Sequence, residues 1–257
     1  ARLAENPEVT VLLLEAGGDD EVSSVFQPAQ WPLNLGTERD WAFMAEPNPY
    51  LNGRAIPMNM GKVLGGGSSI NVMVWARGHR ADWNYFAAEA GDDAWNYESA
   101  LAIYRRIENW HGAADPGRRG QGGPMHVAPA RDPKPTATLM LEAARAIGVP
   151  TFDSPNGAMM EGDGGAAIND LRIRDGKRLS VFRSYTWPRM AQPNLTVLTD
   201  ALVSTLVFDG ARVVGVDVVL DGQPRQFRAE REVVLSLGAV NTPKVLMQSG
   251  IGPASEL

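Results

Sequence analysis

The amino-acid sequence predicts an α/β (α+β) fold, and three segments carry that prediction. Residues 9–14 read V-T-V-L-L-L after an Asn-Pro break, which is the pattern of a buried parallel strand. Residues 61–67 contain four glycines and lead into a run that is typical of a helix. Residues 195–229 alternate like hairpin strands, with Asp-Gly turns at 209–210 and 221–222.

The composition limits the classes of function. With 257 residues, 44% of them hydrophobic, and a net charge of −6, neither disorder nor a nucleic-acid surface is indicated. There is no cysteine, and His79, His111 and His126 lack metal-ligand spacing, so no metal site is predicted. No apolar run approaches the ~20 residues of a membrane span. We therefore expect no transmembrane segment and a cytoplasmic location, with membrane association of the parent protein left open.

The first half of the chain alternates between helical patterns and loops. Residues 19–60 are rich in Pro, Asn and Gly, which predicts a long excursion of the kind that serves as a lid. Helices are predicted at 68–75, 82–86, 97–108 and 136–147. The chain begins without Met and stops after 249–257 without a clear terminal element, so we expect an internal fragment of a longer protein.

The second half is richer in strands. A helix is predicted at 179–190, followed by strands at 195–198, 201–208, 213–220 and 226–229. Residues 232–237 have the pattern of another buried strand, which runs into Gly238. A helix is predicted from there to Gln248, with Gly250 placed to cap its C-terminus.

Glu15 stands at the end of the first predicted strand. An acidic residue at the end of the second strand of a dinucleotide-binding unit accepts hydrogen bonds from ribose hydroxyls. In that interpretation the glycine turn of the unit would precede Ala1. The alternative is a strand-end carboxylate that is simply solvated, and Glu15 alone does not separate the two.

The glycine-rich segment 61–71 is a candidate anion site. Consecutive glycines let backbone N–H groups approach an anion closely, and a pyrophosphate is a natural ligand. It is not a Walker A loop, because Val63 follows Lys62 where that motif requires Ser or Thr. A flexible linker is disfavoured by the flanking apolar residues Leu64 and Ile70.

Three stretches resemble the glucose–methanol–choline (GMC) oxidoreductase family. G-K-V-L-G-G-G-S-S-I-N-V-M-V-W-A-R-G at 61–78 is similar to the first signature of the family. G-A-V-N-T-P-K-V-L-M-Q-S-G-I-G at 238–252 is similar to the second, and L-L-L-E-A-G-G at 12–18 to its ribose-binding strand end. The three matches occur in the family's order and at similar spacing over most of the chain.

The resemblance implies FAD as the cofactor. It places Glu15 on the adenosine ribose and the backbone of Val203 at the adenine edge. Near the pyrophosphate and ribityl chain it places Val63, Gly65, Gly66, Gly67 and Ser68. Against the isoalloxazine ring it places Asn71, Val72, Met73 and Val74. Ile70 occupies the position where some relatives carry a histidine joined to the flavin, so a noncovalent FAD is expected.

The resemblance also implies a domain arrangement and a reaction. Residues 1–18, 61–110 and 177–257 would form an incomplete, Rossmann-like FAD-binding domain, 19–60 a lid over FAD, and 111–176 part of a substrate-binding domain. The parent protein would oxidise a CH–OH group of a small-molecule alcohol, choline-like or another primary alcohol, by hydride transfer to flavin. No catalytic residue is expected in the chain, because the family's histidine would lie downstream of Leu257. The electron acceptor stays open between oxygen, a quinone and another carrier.

Two other interpretations also fit parts of the sequence. A catalytically inactive flavin-binding or structural homologue would keep the fold and lack the downstream histidines. An NAD-dependent Rossmann enzyme would also explain Glu15, but it would not explain the two signature segments together.

Overall fold

The computed structural model describes residues 1–257, and their internal contacts divide them into two units. Unit 1 comprises Ala1–Asp20, Leu35–Gly66 and Arg189–Leu257, and unit 2 comprises Glu21–Asn34 and Gly67–Pro188. Each unit is assembled from segments that are distant in the sequence. The division into FAD-binding, lid and substrate-binding parts stays a prediction. The segment expected as the lid is shared between the two units.

The secondary structure is mixed, as predicted. The helices are α1 (Ser23–Phe26), α2 (Gly67–Ile70), α3 (Arg80–Ala90), α4 (Tyr97–Ile107), α5 (Pro135–Ala146) and α6 (Gly238–Gln248). The strands are β1 (Val11–Leu14), β2 (Phe43–Met44), β3 (Pro57–Met58), β4 (Val74–Trp75), β5 (Glu108–Trp110), β6 (Met125–Pro129), β7 (Asp170–Leu171), β8 (Ile173–Arg174), β9 (Lys177–Arg178), β10 (Leu195–Leu198), β11 (Ala201–Asp209), β12 (Arg212–Leu220) and β13 (Gln223–Arg228). Short 3-10 turns lie at Leu3–Glu5, Pro28–Asn34, Pro49–Leu51, Asp93–Trp95, Ala158–Met160 and Trp187–Arg189. No helix combines the length and the apolar character that crossing a bilayer requires.

Unit 1 contains a parallel pair, a short antiparallel pair of β2 with β3, and an antiparallel meander. β1 pairs in parallel with β10, Val11 opposite Leu195, which confirms the predicted parallel strand. β11, β12 and β13 form a three-stranded antiparallel sheet in chain order. The core of the unit is apolar and joins this sheet to α6 through Ala201, Leu206, Val216, Val218 and Val245.

The hairpin between β12 and β13 follows directly from its sequence. Leu220 pairs with Gln223, so the loop consists of Asp221 and Gly222, with φ of +51° and +72°. Two left-handed residues are what a two-residue hairpin turn needs, and Asp-Gly supplies them at low cost. The β11–β12 hairpin was also predicted, but its loop is Gly210-Ala211, one residue later than the Asp-Gly pair.

Unit 2 is built on a four-stranded sheet in the order β4-β7-β6-β5, in which only β5 and β6 are parallel. α3 begins after His79, whose Nδ1 accepts the Ala81 N–H at 3.1 Å, and α4 begins after Asn96, whose Oδ1 accepts the Ser99 N–H at 2.9 Å. These side chains satisfy backbone donors that a helix start leaves unpaired.

Two predicted helices are wrong in extent or type. The helix expected over 68–75 ends at Ile70, because Met73 has φ +62° and its N–H bonds to Asn71 Oδ1 at 3.0 Å. The chain then enters β4. The segment 179–190 forms a single π-helical stretch at Phe182–Thr186 followed by a 3-10 turn, and Pro188 supplies no N–H to extend a regular helix.

The expectation of buried strands was partly wrong. Residues 232–237 form no strand, because no neighbouring strand pairs with them. The apolar side chains of this segment, Val233, Leu235 and Leu237, pack on the core of unit 1. β1 is only half-buried, with Leu12 40% exposed. The helix expected after Gly238 is confirmed, and Gly250 ends it with φ +79°.

Candidate functional site

Glu15 lies where β1 ends, between the β1–β10 pair and the β11–β12–β13 sheet of unit 1. Its backbone N–H donates to Leu198 and its carbonyl accepts from Ala201, both at 2.9 Å. The carboxylate is half-buried, and Oε1 accepts the Gly17 N–H at 2.9 Å. Burial raises the pKa of Glu15, while the backbone hydrogen bonds and the charge of Lys62 oppose the shift.

The strand end packs directly against the glycine-rich segment. A Cβ on Gly17 would lie 1.9 Å from the carbonyl oxygen of Lys62, so only glycine permits this approach. Gly18 forms a parallel bridge with Val63, and its carbonyl accepts the Leu64 N–H at 3.0 Å. Glu15 and Val63, predicted separately as site residues, are therefore held together in unit 1.

A tight turn follows Val63. The Gly66 N–H donates to the Val63 carbonyl at 2.7 Å, and Gly65 and Gly66 have φ of +93° and +53°. Left-handed dihedrals at two successive positions explain why glycines stand here. No atom lies within 4 Å of the point that a Cβ on Gly66 would occupy, so there is room for a ligand beside the turn at that position.

Val203, the predicted adenine contact, lies on β11. That strand begins at Ala201, whose N–H is bonded to the Glu15 carbonyl. Val203 is the third residue of the strand and so lies near its start. It pairs with Val218 and packs partly against the core of the unit. Unit 1 thus places Glu15, Val63 and the strand of Val203 in one hydrogen-bonded region.

The remaining predicted site residues belong to unit 2. Gly67 opens α2 and is exposed, with no atom within 4 Å of the point a Cβ would occupy. Ser68 Oγ accepts the Val181 N–H at 2.9 Å. The Asn71 N–H bonds to the Gly67 carbonyl at 2.9 Å, which closes the helical turn.

The segment after α2 alternates between buried and open positions. Met73 is 4% exposed, Val72 is 43% exposed, and Val74 is half-buried in β4 opposite Leu171. Asn71 and Val72 are both exposed, so a planar ring can be contacted at these two positions. Gly67, Ser68 and these four residues all belong to unit 2, and their role toward a cofactor stays a prediction.

Two residues beside this segment were missed by sequence reasoning. Arg172 and Arg178 are both buried, and both donate to Asn71 Oδ1, at 3.1 Å and 3.0 Å. The only signal in the sequence is a pair of arginines flanking the Asp175-Gly176 turn of the β8–β9 hairpin, a pattern that more often marks a solvated surface. Their position beside Asn71 depends on a contact across about a hundred residues.

A second group of buried charges also escaped sequence reasoning. Glu108 and Asp170, both fully buried, bind the guanidinium of Arg119, and Glu108 binds that of Arg77. The four side chains join β5 and β7 with the chain that follows β4. They lie among strands of the unit 2 sheet and serve its architecture.

The comparison with protein families decides the identity of the chain. A family model described as GMC oxidoreductase matches residues 11–257. The chain belongs to the GMC oxidoreductase family. The matched part is the N-terminal, FAD-binding domain of the family, which confirms the predicted cofactor and the predicted α/β fold.

Relatives support the same assignment along the whole chain. An uncharacterised GMC-type oxidoreductase of Mycobacterium tuberculosis is 41% identical over 261 residues, which cover 100% of this chain and 48% of the relative. The mitochondrial choline dehydrogenase of Mus musculus is 37% identical over 265 residues, covering 100% of this chain and 44% of that protein. The chain therefore spans about half the length of the relatives it matches.

Solved structures agree with the fold. Pyridoxine 4-oxidase from Mesorbium loti superposes with a TM-score of 0.93 at 33% identity, covering 99% of this chain and 50% of that one. Formate oxidase superposes with a TM-score of 0.87 at 29% identity, covering 99% of this chain and 45% of that one.

The residues present fit the cofactor that the family binds. Glu15 offers a half-buried carboxylate of the kind that accepts from a ribose diol, and the open space beside Gly66 and Gly67 lets an anionic phosphate approach the backbone there. Ile70 is 3% exposed and its side chain is a hydrocarbon. It therefore offers no nucleophilic atom that could form a covalent bond to a flavin.

Proposed function

We propose that this chain is the FAD-binding part of an enzyme that oxidises the CH–OH group of a small alcohol by hydride transfer to flavin. The observation that carries the proposal is the junction in unit 1, where Gly17 packs on the Lys62 carbonyl and the half-buried carboxylate of Glu15 lies at the end of β1 beside it. Membership of the GMC family supplies the class of reaction.

The proposed substrate is choline-like or another primary alcohol. One relative is named choline dehydrogenase, another oxygen-dependent choline dehydrogenase, and a structural neighbour pyridoxine 4-oxidase. Choline and pyridoxine both carry a primary alcohol, which supports this class. The proposal leaves the electron acceptor open between oxygen, a quinone and another carrier.

Each unit has its own proposed role toward the cofactor. In unit 1, Glu15 would accept the ribose hydroxyls, the backbone of Val203 would contact the adenine edge, and the pyrophosphate would be met by Val63, Gly65 and Gly66. In unit 2, Gly67 and Ser68 would lie along the ribityl chain. The isoalloxazine ring would be contacted by Asn71, Val72, Met73 and Val74. We propose that FAD is held without a covalent bond, because Ile70 offers no nucleophile.

Bound FAD supplies a two-electron acceptor for hydride. In the proposed reaction the carbinol C–H bond breaks with its electron pair, and the hydroxyl proton passes to a general base as the carbonyl forms. We expect that base to be a histidine downstream of Leu257. The histidines of this chain have other contacts, since His79 caps α3 and the rings of His111 and His126 lie 4.3 Å apart.

The experiment starts with the full-length protein. Purified protein should be yellow, should release FAD on denaturation, and should lose visible flavin absorbance when choline or pyridoxine is added without oxygen. Glu15→Gln should weaken FAD binding, while Glu8→Gln, at an exposed position of the same unit, should leave it unchanged. A colourless protein that FAD does not reconstitute would overturn the proposal.

The same experiment distinguishes the inactive homologue. A yellow protein whose flavin no alcohol reduces, but which dithionite reduces, would favour a flavin-binding homologue without catalysis. Reduction by an alcohol would exclude that alternative.

A further inference from the structure

Unit 2 contains two buried guanidinium groups that no carboxylate compensates. Arg178 is 2% exposed and Arg172 is 4% exposed, and neither forms an ion pair. The contrast lies within the same unit, where the buried Arg77 and Arg119 both pair with Glu108 at 2.8 Å. A buried ion without a counter-charge is costly, so this pair calls for a physical explanation.

Arg178 ties three parts of unit 2 together. Its Nε donates to the Val25 carbonyl at 2.8 Å, and its Nη1 donates to the Ser68 carbonyl at 3.1 Å and to Asn71 Oδ1 at 3.0 Å. Its Nη2 is buried and has no hydrogen-bond partner. The planar guanidinium thus holds the chain at Val25, Ser68 and Asn71, and its Nη2 group makes no hydrogen bond.

Arg172 supports the same segment from β7 and β8. Its Nη2 donates to Asn71 Oδ1 at 3.1 Å, and its backbone N–H donates to the Met73 carbonyl at 2.9 Å. Asn71 Oδ1 therefore accepts from both guanidiniums and from the Met73 N–H. The acceptor between the two guanidiniums is therefore a neutral amide oxygen. A carboxylate at the same place would neutralise one of the two positive charges.

Both guanidiniums stay charged at neutral pH. Burial lowers the pKa of Arg172, and burial together with the charge of Arg172 lowers the pKa of Arg178 to about 10. Arginine is protonated at neutral pH, and the value for Arg178 is still well above 7. The structure therefore holds two positive charges in direct contact with Asn71, a residue of the segment that is proposed to contact the isoalloxazine ring.

We propose that Arg172 and Arg178 are positioning residues that fix Ser68, Asn71 and Met73, and that their uncompensated positive charge favours negative charge on the bound flavin. This inference rests on the proposed function. Reduction adds negative charge to a flavin, and charge near the ring is one of the means by which a protein tunes it. A buried positive charge is screened little by water, so its effect reaches across one intervening residue. The pair should therefore raise the midpoint potential of the flavin.

The test separates charge from shape in the full-length protein loaded with FAD. Arg178→Gln removes the charge, and Arg178→Lys keeps it but loses the fork. The matched control is Arg174→Gln, which makes the same change of charge on an exposed side chain of the same hairpin. The readouts are the midpoint potential of the bound flavin and the unfolding of the FAD-free protein.

We expect the midpoint potential to separate the Gln and Lys variants, and the stability of the FAD-free protein to fall in both. Arg178→Gln should weaken binding of reduced relative to oxidised flavin at least tenfold, which is a shift of about 30 mV to lower potential for a two-electron couple. Arg178→Lys should change that ratio less than threefold, yet both variants should unfold more easily, because neither can reach Val25, Ser68 and Asn71 together. Arg174→Gln should change neither readout.

Two results would overturn the inference while FAD binding stands: a yellow Arg178→Gln variant with the wild-type potential, or equal shifts for the Gln and Lys variants. A wild-type protein that takes up no FAD would overturn the proposed function itself, so the two failures are distinguishable. Where Arg178→Gln does not fold, Arg172→Gln takes its place with the same expected shift, since Arg172 makes fewer side-chain contacts.

Discussion

Arg119 and Glu108 meet through two side-by-side hydrogen bonds, Nη2 to Oε1 at 2.8 Å and Nε to Oε2 at 3.0 Å. Glu108 is fully buried, and its Oε2 also accepts from Arg77 Nη2 at 2.8 Å. Asp170 completes the group through Arg119 Nη1 at 2.9 Å. Two guanidiniums face two carboxylates, so the interior of unit 2 is electrically balanced at this place.

Removing one charge from this balanced group should be severe. Glu108→Gln keeps the size of the side chain but leaves two buried guanidiniums facing the single carboxylate of Asp170. We expect the free energy of unfolding to fall by about 3–5 kcal/mol. Chemical denaturation followed through tryptophan fluorescence measures the change, and Trp110, whose ring centroid lies 3.4 Å from the Arg119 guanidinium, is one of the seven reporters.

The matched control is Glu89→Gln on the exposed face of α3. It removes the same charge from solvent, and we expect a change within about 0.5 kcal/mol. Equal small effects at both positions would show that the buried group contributes little to stability.

A glycine pair in unit 1 offers a test of the junction at the proposed cofactor site. Gly17→Ala would put a Cβ 1.9 Å from the Lys62 carbonyl oxygen, whereas Gly18→Ala would put one in open space. We expect Gly17→Ala to cost about 1–3 kcal/mol or more and to weaken FAD binding, because the strand end must separate from the glycine-rich segment. Thermal unfolding and FAD titration of both variants check this.

The neighbouring substitution serves as the control for that prediction. Gly18→Ala should change the free energy of unfolding by less than about 1 kcal/mol, since its position has room and ordinary dihedrals. Equal losses from both variants would contradict the assignment of the close contact to Gly17.

Asn71→Asp should stabilise the protein in the absence of FAD. The new carboxylate would accept from Arg172 and Arg178 where the amide oxygen does now, and it would compensate buried positive charge. We expect a gain of about 1–3 kcal/mol at neutral pH. The guanidiniums would depress the pKa of the new carboxyl, so the gain should be present above its unfolded pKa and be lost as pH falls through its folded pKa.

Unfolding of FAD-free protein across a pH series measures that gain. Asn109→Asp is the control, because Asn109 Oδ1 accepts only the backbone N–H of Gly122. A loss of stability in Asn71→Asp at neutral pH would contradict the picture of two uncompensated guanidiniums beside this residue.

His126 should make unit 2 sensitive to acid. Its side chain is buried, Nε2 has no partner, and the ring lies 4.3 Å from that of His111. Burial lowers the pKa of His126 below its usual 6.5, with further lowering from the charges of His111, Arg174 and Arg131, against a hydrogen bond to Ile173. Below pH 6.5 the unfolded chain binds a proton that the folded chain resists.

The stability that His126 contributes is therefore complete above 6.5 and falls as pH drops toward its folded pKa. Unfolding measured at pH 7.5 and 5.5 should show a smaller difference in His126→Gln than in the wild type. His111→Gln should make the same difference in stability smaller, though less so, since it removes one source of repulsion on His126. An unchanged difference in His126→Gln would contradict the assignment.

The local parts of the fold and of the candidate site were predictable. Glu15 and Val63 were both predicted from sequence as site residues, and the structure packs the segment of one on the segment of the other, through Gly17 and Lys62. The helix expected over 68–75 was wrong, because its end is decided by the Asn71 side chain at Met73 and by the distant Arg172 N–H. A strand was expected at 232–237 for its apolar pattern, which cannot reveal whether a neighbour is available to pair with it.

The sequence by itself determined the features that depend on local dihedral preference, such as the Asp221-Gly222 turn and the end of α6 at Gly250. It also determined the family, because the glycine-rich segments keep their order and spacing. Only the tertiary structure decided that Arg172 and Arg178 meet at Asn71, about a hundred residues away, while Arg119 finds Glu108. The physical reason is that burial and the presence of a counter-charge depend on which side chains are buried together. The sequence around an arginine does not show which side chain it will bind.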